Sequence, residues 1–447
     1  MRKYASFLLI ILLVPLAARA QKRPLSLDEA ISTGLEASPG LHASQMKVES
    51  SAAKTREVSA GRLPAIKAGA GYQRLSFVPP FVLAPPVTPA RVLVSENFPN
   101  SWALRASVQQ PLFTGFRLEA GTESARLLEK SAGLDLEKDR SDFVFAVKNA
   151  YWGLAQAREF ESVVGETIRQ VQEHLKDVRA FFGQGLLTKN EVLRTEIQLS
   201  NAELLAIDAR NAVEVARTSL NSLIGLPVET EIELTTSPES LAARAPEPER
   251  GGEDAAAARA LVDTALAGRP DIKSAEFRIR ASEAGVKAAR SGWYPQVGLF
   301  GNVYYLRPNP RIMPAQDSFY TTWDIGVSIT FDLWNWGQTR SQTEQAKAQA
   351  AQAQDARKLL GDQVVLEVTQ SRLALAQARD KIKVAGEAVG QAEENLRMIR
   401  EQFRQGVALN ADVMDAEVFL LQAKLARTRA TIDSVLAQAR LEKALGR

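Results

Sequence analysis

Cysteine is absent from the 447 residues. That excludes disulfides, thiolate metal sites and a lipid-modified N-terminal cysteine, so stability must come from burial. Histidine is nearly absent as well: His42 and His174 are the two in the chain. Each falls in a helical pattern without partners and reads as a surface or helix-packing residue, so no metal site and no cofactor are expected. "GAG" at 69 to 71 lies in a strand pattern with no helix after it, which is not a phosphate loop. No nucleophile, base and oxyanion set can be assembled, and no enzyme is expected. Beyond the first twenty residues no apolar run approaches the roughly 18 that a spanning helix needs. If this chain enters a membrane it must do so with strands.

What the chain does have begins with "MRKYASFLLIILLVPLAARA", a basic start, an apolar run and Ala18-Arg19-Ala20. This is a secretory signal, residues 1 to 20, with an A-x-A cleavage site. Arg2, Lys3 and Arg19 carry three of the 55 basic residues, which leaves the mature chain at 52 basic against 52 acidic. Formal neutrality gives no reason to expect nucleic acid.

The chain contains itself twice. "QGLLTKNEVLRTE" from 184 lies over "QGVALNADVMDAE" from 405, and "AQARE" from 155 over "AQARD" from 376, both at an offset of 221. Nearer the start the offset is 231, Pro39 over Pro270 and Pro64 over Pro295, so the first half carries ten extra residues before about 111. A duplication this long exceeds the usual solenoid periods. The domains read as a first repeat (21–225), a Pro-, Gly- and charge-rich linker (226–258) holding a strand-like "VETEIEL", and a second repeat (259–447).

Each repeat has the same order. The first has a helix (24–62), strands within 64–113, then helices over 117–185 and 190–224. The second has a helix (259–291), strands over 294–306 and 321–334, then helices over 338–405 and 411–446. The long helices carry a heptad seam in matching register, Val164, Ile168, Val171, Leu175, Val178 and Phe182 over Ala385, Val389, Ala392, Leu396, Ile399 and Phe403. Met414, Val418, Leu421 and Leu425 continue the pattern on the last helix. Such helices, at about 1.5 Å per residue, run to roughly 100 Å.

The strands alternate with period two. Trp102, Leu104, Ala106 and Val108 alternate with Ala103, Arg105, Ser107 and Gln109; Trp323, Ile325, Val327, Ile329 and Phe331 alternate with Asp324, Gly326, Ser328, Thr330 and Asp332. One face suits lipid and the other water. Phe113, Phe116, Trp293, Tyr294, Trp334 and Trp336 gather at the strand ends nearest the helices, as an interfacial girdle does. Four strands cannot close a barrel, and open edges in lipid leave backbone groups unpaired. Two copies would give eight strands and three would give twelve. A soluble periplasmic coiled-coil scaffold accounts for the helices but not the strands, and a free-standing porin accounts for the strands but not the helices.

Signal, tandem repeat, the helix-to-strand junctions Leu63-Pro64 and Tyr294-Pro295, "PLFTGF" at 111 to 116 and both glycine-turn tips together resemble the TolC-type outer-membrane efflux channel family. The resemblance covers essentially the whole mature chain. It implies a mainly α fold with a small transmembrane β part. Long coiled-coil helices would form an α-barrel, and four strands per chain would form a trimeric, twelve-stranded β-barrel. The implied setting is the outer membrane of a Gram-negative-type cell, with a long periplasmic extension closed at its tip. The implied partners are two further copies, outer-membrane lipid, a periplasmic adaptor and an inner-membrane pump, the channel itself conducting passively.

"DVMD" at 412 to 415 resembles the family's tip motif, which implies that Asp412 and Asp415 line the periplasmic gate. At spacing i, i+3 they share a helix face, and rings of aspartate favour cations. A pair stabilised by the helix dipole at a helix start is the structural alternative. In the first repeat Asn190, Glu191 and Arg194 occupy the equivalent positions, Glu191 at an acidic position that in the family helps hold the tip closed. The family's locking tyrosine and arginine align with Phe403 and Ala408, which can form neither its hydrogen bond nor its salt bridge. Gly185, Leu186, Gly406 and Val407 resemble the family's adaptor-docking tips.

Overall fold

A computed structural model describes residues 23–83, 92–238 and 255–447; the signal segment and parts of the Pro-rich loop and the linker lie outside these. The elements in chain order are β1 (Arg23–Leu25), α1 (Leu27–Ala37), α2 (Pro39–Ala60), β2 (Ala65–Arg74), β3 (Phe81–Leu83), β4 (Val92–Ser95), β5 (Asn100–Phe113), α3 (Arg117–Gly183) and α4 (Lys189–Leu223). They continue with β6 (Ile232–Leu234), α5 (Ala255–Gly268), α6 (Pro270–Ala289), β7 (Gln296–Arg307), β8 (Tyr320–Thr330), α7 (Gln338–Arg404) and α8 (Asn410–Ala444). The duplication is visible to the residue: α7 and α8 begin and end 221 positions after α3 and α4. All four helices stop by the same device. Gly185, Gly225, Gly406 and Gly446 take φ of 75 to 79°. The next N–H then reaches back to a carbonyl five residues earlier, as Leu186 does to Phe181 at 2.9 Å and Val407 to Gln402 at 2.9 Å.

The helix expected over 24–62 is in fact β1, α1 and α2. Pro39 sits at the first position of α2 and forces Ser38 into extended backbone, ψ 115°. Pro270 does the same to Arg269, ψ 131°, which splits the helix expected over 259–291 into α5 and α6.

Two compact units form, and neither is a sequence repeat. Among the described residues, one contains 23–41, 139–238, 255–265 and 365–447, the other 42–83, 92–138 and 266–364. Each therefore draws on both repeats.

In the helical unit, one core gathers Leu25, Val147, Tyr151, Trp152, Leu220, Ile224, Ile232 and Ile432. Here β1 and β6 pair in parallel. Tyr151 locks the pair by donating its hydroxyl to the Leu25 carbonyl at 3.0 Å and accepting the Thr236 N–H at 3.2 Å. Burial of Tyr151 and Trp152 contributes on the order of 2 kcal/mol each.

In the other unit a four-stranded antiparallel sheet runs β2-β5-β7-β8. Register aligns Ile66, Val108, Gly301 and Ile325 in one row and Ala68, Ala106, Val303 and Trp323 in the next, all on one face. Lys67, Ser107, Asn302 and Asp324 form a row on the other face, with Asn302 Nδ2 donating to Asp324 Oδ1 at 2.6 Å. The alternation read from β5 and β8 thus becomes one apolar surface and one mostly polar surface, to which β7 adds Phe300, Tyr304 and Leu306. β8 ends at Thr330 rather than 334, because its ladder stops opposite Gln296, the residue after Pro295, and proline has no N–H to continue it. Phe331, Asp332 and Trp334 are therefore outside the strand. A short hairpin of β3 and β4 occupies part of the segment expected to be loop.

Candidate functional site

The ends of the two helical hairpins, α3 with α4 and α7 with α8, share a second core. Leu175, Val178, Val192, Leu396, Phe403, Val413, Ala416 and Leu420 are its buried members, with Phe181, Ile399 and Ala408 packed against it. The expected heptad seam is present along α3 and α7 up to its last position. There Phe403 is 4 % exposed while its repeat twin Phe182 is 41 % exposed. Phe181 takes the inner place, its ring 5.4 Å from that of Phe403. On α8 the expected register fails by one position: Asn410, Val413, Ala416, Glu417 and Leu420 face inward, and Val418 is exposed. Two of these inward residues are polar, which a search for apolar periodicity passes over.

Those two polar residues organise the tip. Asn410, the first residue of α8, donates its Nδ2 to Glu191 Oε2 of α4 at 2.9 Å. Its Oδ1 then faces His174 Nε2 of α3 at 2.7 Å, so that this nitrogen carries the imidazole proton. Thr195 of α4 closes the group, 3.2 Å from Asn410 Nδ2. The His174 ring stands edge-on to Phe403 of α7, with centroids 5.0 Å apart. Four helices meet in this cluster. His174 is 3 % exposed, and burial pushes its imidazole below the ordinary range, helped by Arg400 and opposed by the Asn410 hydrogen bond and Asp177.

Two turns further along α8, Glu417 is buried. Arg400 Nη2 donates to its Oε1 at 2.8 Å and Gln198 Nε2 to its Oε2 at 3.2 Å. Burial pushes the Glu417 carboxyl up, against the pull of Arg400 and Gln198. Arg404 Nε reaches Asp177 Oδ2 at 3.2 Å, tying α7 to α3.

Asp412 and Asp415 are both exposed on the first turns of α8. Asp412 Oδ2 accepts the Leu409 N–H at 2.9 Å, so this carboxylate caps its own helix. Asp415 has no ion-pair partner among the described residues. The repeat twins have diverged: Glu191, at the position of Asp412, binds across to α8 instead of capping α4. Its neighbour Asn190 is exposed. Leu186 and Val407 project from the two glycine turns and are well exposed. Between the turns lies a groove of about 680 Å³ with Phe181, Leu186, Phe403, Gly406 and Leu409 in its walls. Sequence reading passed over His174, Asn410, Arg400 and Glu417 as site residues. The one available signal was the Arg-to-Glu spacing that recurs 221 residues earlier as Arg179 and Glu196.

The aromatic residues belong to the sheet-bearing unit. Phe116 contacts Phe113 and Tyr294 edge-on, at 5.3 and 5.7 Å, and Trp334 contacts Trp336 at 5.7 Å. Trp293, Tyr294, Trp334 and Trp336 are exposed. Both strand-to-helix turns use two consecutive left-handed residues, Gly115-Phe116 (φ 60° and 67°) and Trp336-Gly337 (φ 54° and 79°). Glycine and aromatic exchange places between the repeats. Pro64 and Pro295 directly precede β2 and the residue that opens β7.

No described helix is long and apolar enough to cross a membrane.

Residues 30–226 and 261–447 match the family model described as outer membrane efflux protein, one match for each repeat. The outer membrane efflux protein BepC of Brucella suis biovar 1 is 24 % identical over 341 residues, 76 % of this chain and 71 % of that one. The alkaline protease secretion protein AprF of Pseudomonas aeruginosa is 24 % identical over 348 residues, 76 % and 69 % of the two chains. The fold matches the outer membrane protein VceC of Vibrio cholerae with a TM-score of 0.76 at 19 % identity, over 94 % of this chain and 96 % of that one. The two sequence relatives are named for outer-membrane efflux and for protease secretion. The chain belongs to the outer membrane efflux protein family.

Proposed function

We propose that three copies of this chain form a passive conduit across the outer membrane, and that carboxylates at the helical tips gate it. The observation that carries the reading is the sheet. It has one apolar face and one mostly polar face, and both its edge strands, β2 and β8, lack a partner among the described residues. In hydrocarbon such edges are untenable at several kcal/mol for each unpaired group. Strand directions alternate along the sheet, so β8 of one copy can meet β2 of the next antiparallel and close a ring. Three copies give twelve strands. The apolar rows then face lipid, and the Lys67 to Asp324 rows line the lumen. The girdle of Phe113, Phe116, Trp293, Tyr294, Trp334 and Trp336 sits at a headgroup layer.

Asp412 and Asp415, one turn apart and exposed, form carboxylate rings in such a trimer that retard anions and favour cations. Glu191 supports the same constriction through Asn410, and Asn190 lies beside it. Gly185, Leu186, Gly406 and Val407 offer exposed apolar tips to a periplasmic adaptor. An inner-membrane pump supplies the energy that a passive conduit lacks.

The absence of cysteine makes the assembly testable. Single cysteines along β2 combined with single cysteines along β8 should cross-link in the outer membrane to a ladder that ends at three chains. A ladder ending at two, or release of the protein without detergent, would refute the trimeric barrel.

A further inference from the structure

We propose that His174 is a proton-responsive positioning residue: it holds the first turn of α8, and with it Asp412 and Asp415, in the closed arrangement and lets go on acidification. This rests on the gate reading above and adds a residue and a stimulus to it.

The geometry is that of a clasp. Asn410 opens α8 two residues before Asp412. It is held from α3 by His174 and from α4 by Glu191 and Thr195, while Phe403 of α7 covers the imidazole. Burial of the clasp favours a neutral ring. Nε2 donates to Asn410 Oδ1, and Nδ1 has no hydrogen-bond partner among the described residues. Protonation would add a second N–H and a charge to a ring 3 % exposed and packed against Phe403, which disfavours the closed arrangement.

The charged groups facing the ring come from all four helices. Arg400 on α7 repels an imidazolium, although Glu417 on α8 holds that guanidinium. Asp177 on α3 attracts it, but is itself engaged by Arg404 of α7. Glu191 on α4 lies beyond the Asn410 amide. Burial outweighs these, since the net displacement of His174 is downward. A base with a depressed folded-state value stabilises the closed form fully above about pH 6.5 and loses that contribution as pH falls toward the lowered value.

The test is channel open probability in planar bilayers between pH 7.5 and pH 5.0, for wild type, His174→Gln and Asn410→Asp. Wild type should open severalfold more at pH 5.0. His174→Gln keeps both aspartates and a donor to Asn410 but cannot titrate, and should lose that rise. Asn410→Asp sets a carboxylate against the ring, so acidification should tighten the clasp and reverse the sign of the response. A flat wild type, or His174→Gln rising as wild type does, overturns the proposal and leaves the conduit standing. If His174→Gln does not fold, His174→Asn, which likewise cannot titrate, decides in its place. Absence of current from all three at both pH values removes the conduit reading, and the clasp with it.

Discussion

Arg400 and Glu417 repeat, 221 residues on, the ion pair of Arg179 and Glu196, and both pairs close at 2.8 Å between Nη2 and Oε1. One pair is buried against the tip core, its Glu417 side chain 0 % exposed, and the other lies at the surface. Duplication supplied the same interaction twice, and burial gave it two different weights.

Removing Glu417 leaves the Arg400 guanidinium partly buried without its counter-ion, and Gln198 without its acceptor. Loss of one partner of a buried pair costs about 3 kcal/mol. Glu417→Ala should therefore accelerate amide exchange through the inner turns of α7 and α8, whereas Glu196→Ala should leave exchange at wild-type rates. Hydrogen exchange by mass spectrometry checks both.

The two buried titrating groups at the tip work in opposite directions. Glu417 is raised by burial, so its contribution to tip stability is complete below about pH 4.5 and is lost as pH rises through its folded-state value. His174 is lowered, so its contribution is complete above about pH 6.5 and is lost as pH falls. The Glu417→Gln variant should keep the His174 dependence and lose the other. Exchange rates in the first turn of α8, followed across pH, check this.

At Gly115 a Cβ would lie 2.5 Å from the Ser291 carbonyl oxygen, whereas at Gly337 it would meet nothing within 4 Å. Both positions have left-handed backbone. Gly337→Ala should cost about 1 kcal/mol from backbone strain alone. Gly115→Ala adds a backbone clash that cannot relax locally, and should abolish folded protein in the membrane fraction. Thermal melting of detergent-extracted protein and membrane yield separate the two.

Val327 and Ser328 are neighbours on opposite faces of β8. If the apolar face meets lipid, Val327→Arg should cost about 2 to 4 kcal/mol at mid-bilayer depth. It should also lower outer-membrane yield, while Ser328→Arg is tolerated. Equal tolerance of both would contradict the assignment of faces.

Much of this fold was legible because the duplication checks itself. Helices α3, α4, α7 and α8 were delimited to within about two residues by glycine turns and heptads that occur twice, and β2, β5 and β7 by alternation and by Pro64 and Pro295, whereas β8 stops at Thr330 instead of 334. What was not legible depends on partners distant in sequence. β1 is three residues long and exists because it pairs, around Tyr151, with β6, which lies within the strand-like "VETEIEL". The buried face of α8 was misread by one position because Asn410 and Glu417 face inward. A polar residue advertises burial only through its partner, and His174, Gln198 and Arg400 come from three other helices. Asp412 carried a visible motif, yet its bond to the Leu409 N–H is a helix cap that sequence could not separate from a gate.

The central claim is that these tips gate a conduit through their carboxylates, and single-channel recording tests it most directly. Wild-type protein in planar bilayers should conduct weakly with a preference for cations. Asp412→Ala/Asp415→Ala should conduct more and lose that preference. A double variant with wild-type conductance and selectivity would contradict the gate, and folded protein that forms no channel would contradict the conduit.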